Sequence, residues 1–303
     1  MNQAPDRPDR PNRIVAAVGA DGAEGVDSLL HFAADEAVRT GADLHLVHVM
    51  TMPPSLPEAY VVAYEGAREL GTAILEAATR TATKLVAGQV PVTSELVDHG
   101  SGTVRDLVER SADARLVVLQ HRNLNALRRI ASGSTTYGVA ARAHATVVSV
   151  PEGWRPPDQP FGRVTVGVHD ASRADDALRV GFELARERQA RLHVVHAWWL
   201  TNGYDSVVVD DDMRKEFSDR FRAELAPHVD ALRTEFAEVE VETEVLHAQS
   251  AVALATASET SDLLVLGRRH PTLPIGSHLG SVVRAVIRFA ACPVAVVETA
   301  HGA

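Results

Sequence analysis

The chain is expected to fold as two tandem α/β domains, each a doubly wound, five-stranded parallel sheet, and three features of the sequence lead there. It repeats itself: "RIVAAVGADG" from Arg13 returns as "RVTVGVHDAS" from Arg163, an offset of 150, and "ADLHLVHVM" from Ala42 returns as "ARLHVVHAW" from Ala190, an offset of 148. A third pair, around Gly133 and Gly280, is offset by 147. A spacing that drifts so little over a whole copy marks a repeated domain of roughly 140 residues, not a short solenoid unit. Within each copy, short Val-rich runs alternate with longer segments rich in Ala, Leu, Glu and Arg, the pattern of strands joined by crossover helices.

Taken in order, the first copy has strands predicted near Arg13–Val18, Leu44–Met50, Val92–Val97, Leu116–Gln120 and Thr146–Val150, with helices around Gly25–Thr40, Glu65–Val86, Thr103–Ala112 and Ser134–Ala143. The second copy repeats them as strands near Arg163–Val168, Leu192–Ala197, Val239–Leu246, Leu263–Gly267 and Val294–Glu298. Its helices fall around Arg173–Gln189, Met213–Phe236, Ala251–Glu259 and Ser281–Ala290. Parallel strands need right-handed crossovers, and a ligand then binds at the carboxyl ends of the strands. The domains are set at 13–151 and 163–298, preceded by a disordered tail, 1–12, rich in Pro, Asp and Arg. Between them, "PEGWRPPDQPFG" carries four prolines and two glycines, so the linker at 152–162 reads as stiff, exposed and non-helical.

Composition narrows the function. With 303 residues, 46% hydrophobic and 23% charged, each copy is long enough to bury its own core. The formal net charge of −10 argues against duplex nucleic acid, whose phosphates are met mainly by Lys and Arg. No apolar run approaches the roughly 20 residues of a membrane span, and the first residues lack the apolar core of a signal peptide. A single cysteine, Cys292, rules out an intrachain disulfide and suits a cytoplasmic protein. Its place before Pro293 and the last apolar strand reads as an inert, buried thiol.

The stretch that carries chemistry is "LLVLGRRHPTLPIGSHLGSVVRAVI" in the second copy. A strand ends at Gly267, a loop with Gly276 and Ser277 follows, and Gly280-Ser281 opens a helix. A helix start offers unpaired backbone N–H groups and a positive dipole end, and glycines let the backbone close on phosphate oxygens. The first copy has Gly133-Ser134 at the matching helix start, followed by Thr135 and Thr136, and its loop brings Arg122, Arg128 and Arg129 in place of glycines. Gly-Ser at such a position also serves as a helix cap with no ligand.

Both copies resemble the universal stress protein family, in its tandem form. The family pattern is Gly, two residues, Gly, nine residues, then Gly-Ser or Gly-Thr after the fourth strand of a Rossmann-like sheet; the resemblance implies that these residues hold the phosphates of ATP. In the second copy Gly267 matches the first glycine, His270 stands where the second should be, and Gly280 and Ser281 match the last pair, with Val282 following as in many members. In the first copy Gln120 and Asn123 take the two glycine positions, and Gly133-Ser134 survives. Members that bind ATP carry an aspartate after the first strand to meet the nucleoside. Here that position is Gly19 in the first copy and His169 in the second, with Asp21 and Asp170 displaced by two residues and one. Strain or a clash at a lost glycine and a lost nucleoside hydrogen bond, each of order 1 kcal/mol, together weaken affinity about ten- to a thousand-fold. Binding is therefore expected mainly in the second copy, where Gly267, Gly276 and Gly280 leave the backbone free.

Fourteen histidines are the other feature. His45 and His48 recur as His193 and His196, but strand positions three apart face opposite ways, so this H-x-x-H cannot chelate one ion. His169, His196 and His270 at neighbouring strand ends are better placed, yet imidazoles there more often hydrogen bond, and no metal site is assigned. Acidic Asp210–Asp212 read as a helix entry. Trp198 and Trp199 read as packing residues. With no G-x-S-x-G, Walker loop or C-x-x-C, no catalytic residue is assigned. The resemblance implies a non-enzymatic stress-response regulator whose ligand state alters its protein partners; the alternatives are a nucleotide-hydrolysing enzyme on the same fold and a nucleotide-free interaction module.

Assembly follows from the last strand of each copy, "ATVVSV" and "CPVAVV", which in the family is an edge strand through which single-domain members dimerise. An open apolar edge is an aggregation hazard unless covered. Within one chain, Val147–Val150 and Val294–Val297 are expected to pair antiparallel about a pseudo-two-fold axis as an internal dimer, and a homodimer would use the helices beside the two loops. Val296→Lys should then cause aggregation or let the halves separate, and solution scattering with a wild-type profile and unchanged stability would refute the pairing.

Overall fold

The strands form where the Val-rich runs place them. In the first repeat they are β1 (Arg13–Ala17), β2 (Asp43–Val49), β3 (Val92–Val97), β4 (Leu116–His121) and β5 (Thr146–Pro151), in the spatial order β3-β2-β1-β4-β5. In the second they are β6 (Arg163–Gly167), β7 (Arg191–Trp198), β8 (Val241–His247), β9 (Leu263–Arg268) and β10 (Val294–Glu298), in the order β8-β7-β6-β9-β10. Every neighbouring pair within each of these two sets is parallel, as the alternating pattern requires. The computed structural model describes residues 12–19, 27–52, 56–98, 101–121, 135–200, 209–268 and 279–299. The chain divides into two units, Met1–Pro156 and Pro157–Ala303.

The crossover helices of the first unit are α1 (Asp27–Thr40), α2 (Tyr60–Val86), α3 (Thr103–Arg110) and α4 (Thr135–Ala140). Those of the second are α5 (Asp175–Glu187), α6 (Asp211–Glu235), α7 (Ser250–Ser258) and α8 (Ser281–Phe289). Central strands are buried on both faces, which is why they read as unbroken apolar runs: Ile14, Ala16, Val117, Val118, Val164, Val166, Leu264 and Val265 are all at or near zero exposure. The second core is closed by Phe182 of α5 stacked on Phe236, ring centroids 5.4 Å apart.

Among the boundaries that differ from expectation, three helix starts have a local reason. Helix α2 starts five residues before Glu65, because Pro57 opens a 3₁₀ turn, Pro57–Ala59, that leads straight into Tyr60. The β-branched Val61 and Val62 are helical against their preference. Helix α5 begins at Asp175, not Arg173, because Asp170 caps a separate 3₁₀ turn, Ala171–Arg173. Helix α6 opens at Asp211 with Asp210 as its cap, its carboxylate accepting the Met213 N–H at 2.8 Å, and it runs on through Pro227.

The stretch between the sheets contains no helix. Its first part lies on the first unit: Trp154 packs edge-on against Phe32 of α1, and Arg155 pairs with Asp27 and donates to Ser28 Oγ at 3.2 Å. Its last part is tied to the second unit by Asp262, whose carboxylate accepts the N–H groups of Phe161 and Arg163 at 2.9 and 3.0 Å. Cys292 is buried and its thiol is pushed up to about 12 by that burial, so it is protonated and unreactive at neutral pH.

Candidate functional site

In an open α/β sheet the ligand crevice lies where the strand order reverses, beyond the carboxyl ends of the two strands that flank the reversal. In the second sheet those strands are β6 and β9, paired through Gly167 and Leu266. His169 lies two residues past the end of β6 and is exposed, while Gly267 and Arg268 end β9. Gly280 is the cap of α8, and Ser281, its first residue, is exposed, with Val282 half-buried behind it. His169 thus follows β6, Gly267 ends β9, and Gly280, Ser281 and Val282 start the helix that comes after β9. His270 and Gly276 lie outside the described residues, as do Gly133 and Ser134.

The two described glycines of the motif sit in different surroundings. At Gly267 an added Cβ would come within 2.8 Å of Thr299 Cγ2, and φ is not positive. A side chain at Gly267 would thus meet Thr299, whose hydroxyl donates to the Arg268 carbonyl at 2.6 Å. Gly280, at φ −62° and ψ 158°, has a conformation open to any residue, and nothing among the described residues lies within 4 Å of its virtual Cβ. This helix start receives no side-chain hydrogen bond from Gly280, its cap residue. Its leading N–H groups and exposed Ser281 hydroxyl form a donor set suited to phosphate oxygens.

The nucleoside end is different. Asp170, the displaced aspartate, is committed locally: its carboxylate accepts the N–H of Ser172 at 3.0 Å and its hydroxyl at 2.8 Å. The Ser172 hydroxyl chiefly, with its N–H and the charge of Arg173, holds this carboxyl below its ordinary value. The residues present fit the phosphates of a nucleotide and do not reproduce the family's nucleoside contact.

In the first unit the corresponding strands are β1 and β4. Gln120, in place of the first glycine, buries its carboxamide oxygen with no hydrogen-bond partner among the described residues. Thr135 opens α4, a helix of only six residues, and Thr136 Oγ1 donates to the Gln120 carbonyl at 3.3 Å. That hydroxyl serves the fold.

The histidines form two matched pairs, and as expected each pair is split across the sheet. His48 Nδ1–H donates to the Val18 carbonyl at 2.8 Å and His196 Nδ1–H to the Val168 carbonyl at 2.9 Å, tying β2 to the end of β1 and β7 to the end of β6. The carbonyls only accept, so both imidazoles carry their proton on Nδ1. His45 faces Thr93 and Glu95, and Arg110 also holds Glu95 at 3.0 Å through Nε. His193 lies 3.0 Å from Glu244, with Thr165 and Ser261 continuing the chain. These carboxylates went unnoticed in the sequence, although Glu95 and Glu244 recur at an offset of 149. The buried Arg268, 2.6 Å from Glu298, was also missed, though it directly follows Gly267. Trp198 stacks on Phe217 and packs against His247, as a packing residue would. No cluster of three or more His, Cys, Asp or Glu among the described residues is arranged to hold a metal ion.

Two parallel α/β domains in tandem, the second with a Gly-Ser helix start after its fourth strand, define the class of fold. Residues 12–151 and 160–298 each match the universal stress protein family, and the chain belongs to that family. A universal stress protein of Mycobacterium tuberculosis is 28% identical over 207 residues, 68% of this chain; that match spans 65% of the relative's length. A second from the same organism is 29% identical over 282 residues, 89% of this chain and 92% of its own. Among solved structures, a universal stress protein from Archaeoglobus fulgidus superposes with a TM-score of 0.67 at 16% identity, covering 95% of this chain and 97% of its own, a likeness of fold. A shorter one from Archaeoglobus fulgidus, solved in complex with dAMP, is 26% identical and covers 46% of this chain and 97% of its own, with a TM-score of 0.33. No helix among the described residues is long and apolar enough to cross a membrane.

Proposed function

We propose that this protein is a non-enzymatic, cytoplasmic regulator of the stress response that binds an adenine nucleotide weakly, mainly in its second domain, and changes its protein associations with that ligand. The observation that carries the reading is the start of α8: Gly280 is clear of its described neighbours, Ser281 is exposed, and both stand beyond β9 near the reversal of strand order. The first domain offers less, because Gln120 occupies the first glycine's position and buries its carboxamide oxygen. The domains of function are 13–151 and 163–298, the native form is a homodimer, and duplex nucleic acid and membranes are not ligands.

Protein purified without added nucleotide is expected to release ATP or AMP on denaturation, read by mass spectrometry. Calorimetry should show that Gly280→Ala weakens ATP binding more than Gly133→Ala does; the reverse ranking would reassign the site to the first domain. Hydrolysis is expected to stay below about one turnover per minute, far under ordinary enzyme rates, because phosphoryl transfer needs a positioned nucleophile and usually a carboxylate-held metal. Steady phosphate release above that rate, abolished by Ser281→Ala, would favour the hydrolase instead.

A further inference from the structure

Two helices, α2 and α6, fill the same place in the two repeats and cover the same side of equivalent strands, so a difference between their outer faces is not imposed by the fold. The outward face of α6 is charged and internally paired: Arg214 with Asp211, Arg220 with Glu224 and Arg222 with Asp219, and Phe217 is its one large exposed apolar side chain among the described residues. The outward face of α2 carries more apolar surface and, among the described residues, only the Glu76–Arg80 pair within the helix. Val61, Val62 and Leu70 are 63, 73 and 60% exposed, and Leu56 just before the helix is 74% exposed. Val62 and Leu70 lie two four-residue steps apart with the exposed Gly66 between them, so the three share one flank of the helix. Such an apolar strip, which its sister helix lacks, marks an interaction surface.

The charges beside the strip identify what fits it. Glu65, Glu69 and Glu76 are all exposed and, at 100° per residue, lie roughly 60–100° to one side of the line through Gly66. Neither Glu65 nor Glu69 has an ion pair among the described residues, and Glu76 has only Arg80 at 4.0 Å. A groove along this flank is lined by Tyr60, Tyr64, Glu65, Arg68, Glu69 and Thr72, and Arg68 is drawn 3.9 Å from Asp98. A second copy of α2 packed antiparallel about a two-fold at Gly66 would set the glutamate rows against each other, which costs stability. An anionic bilayer is repelled for the same reason. We propose that α2 is the docking face for an amphipathic, basic helix of a protein partner, its apolar side on Val62 and Leu70 and its Lys or Arg residues along Glu65, Glu69 and Glu76.

Two labelled peptides of about 20 residues, long enough to present a helical face, test this with the full-length protein: one with Leu and Lys, the other with the same Leu positions and Glu. By fluorescence anisotropy the Lys peptide should bind at least about tenfold tighter, and weaken as salt rises from about 0.05 to 0.5 M. The double variant Val62→Ser, Leu70→Ser should lose at least about tenfold, and Glu65→Lys with Glu69→Lys should reverse the preference toward the Glu peptide. Equal affinity for the two peptides, no binding of either, or binding indifferent to these exposed substitutions overturns the proposal. So does concentration-dependent self-association abolished by Leu70→Ser, which would give the face to a second copy.

Discussion

Replacing Gly280 by aspartate is expected to move stability and nucleotide binding in opposite directions. At φ −62° and ψ 158° the residue already has the extended geometry of a helix cap, with no described atom within 4 Å of its virtual Cβ and, being glycine, no side chain of its own to cap α8. An aspartate there can accept a backbone N–H from the first turn and meets the positive end of the helix dipole, so the fold should gain a few tenths of a kcal/mol. On the proposed reading, the same carboxylate stands where nucleotide phosphate would. Two unit charges about 4 Å apart at an effective dielectric near 20 repel by about 4 kcal/mol, and with screening a loss of at least a hundred-fold in ATP affinity is expected. Thermal unfolding and calorimetry on one preparation read both effects. A Gly280→Asp protein that binds ATP like the wild type would remove the second domain's helix start from the site, whereas lost binding with lost stability would mean only that the fold had been damaged. Gly133→Asp is the control, expected to leave binding nearly intact.

The fold was legible because burial on both faces leaves a strong mark. Strands such as Leu116–His121 and Val294–Glu298 are short apolar runs with no alternation, and comparing two copies separates them from helix segments that one copy would leave ambiguous. Ends were less legible where the decision lies in tertiary contacts: nothing in "PEAYVV" announces that Pro57 starts a turn feeding a helix through two β-branched residues. At the candidate site, the motif marked which positions matter but not why. Gly267 resembles a phosphate glycine in sequence, yet the atom that an added side chain would meet first belongs to Thr299, 32 residues later in the chain (299 against 267), and no local pattern carries that information. Likewise Asp170 looks like a displaced nucleoside ligand until Ser172 is seen to occupy it. The paired carboxylates were readable in principle, since Glu95 and Glu244 recur beside the recurring His45 and His193, but Arg110, which also holds Glu95, belongs to another element.

Stability should fall as the pH is lowered from 7.5 to 5.5, and the second domain's histidines should account for it. His193 and His196 are 6 and 7% exposed, and burial, which penalises the imidazolium, is the main cause that holds both below the ordinary value of 6.5. Glu244 partly offsets this at His193, and the nearby His169 adds to it at His196. A histidine whose folded pKa is depressed contributes its full stabilisation above 6.5. As the pH falls through 6.5 the unfolded chain takes up protons that the folded chain still refuses, and stability is lost until the folded pKa is also passed. Each such proton contributes up to about 1.4 kcal/mol per pH unit, so the pair sets a limiting slope near 2.7 kcal/mol per unit. Glu95, held below its ordinary 4.5 chiefly by its hydrogen bond from Arg110, begins to lose its contribution only as the pH approaches that value, beneath this window. Urea unfolding at stepped pH should therefore show a steep wild-type dependence that flattens in His193→Gln and His196→Asn, where an amide that does not titrate can replace part of the hydrogen bonding. A wild-type slope preserved in the double variant would assign the acid sensitivity to other groups, and a protein that gained stability between pH 7.5 and 5.5 would show that the Glu244 attraction outweighs burial at His193.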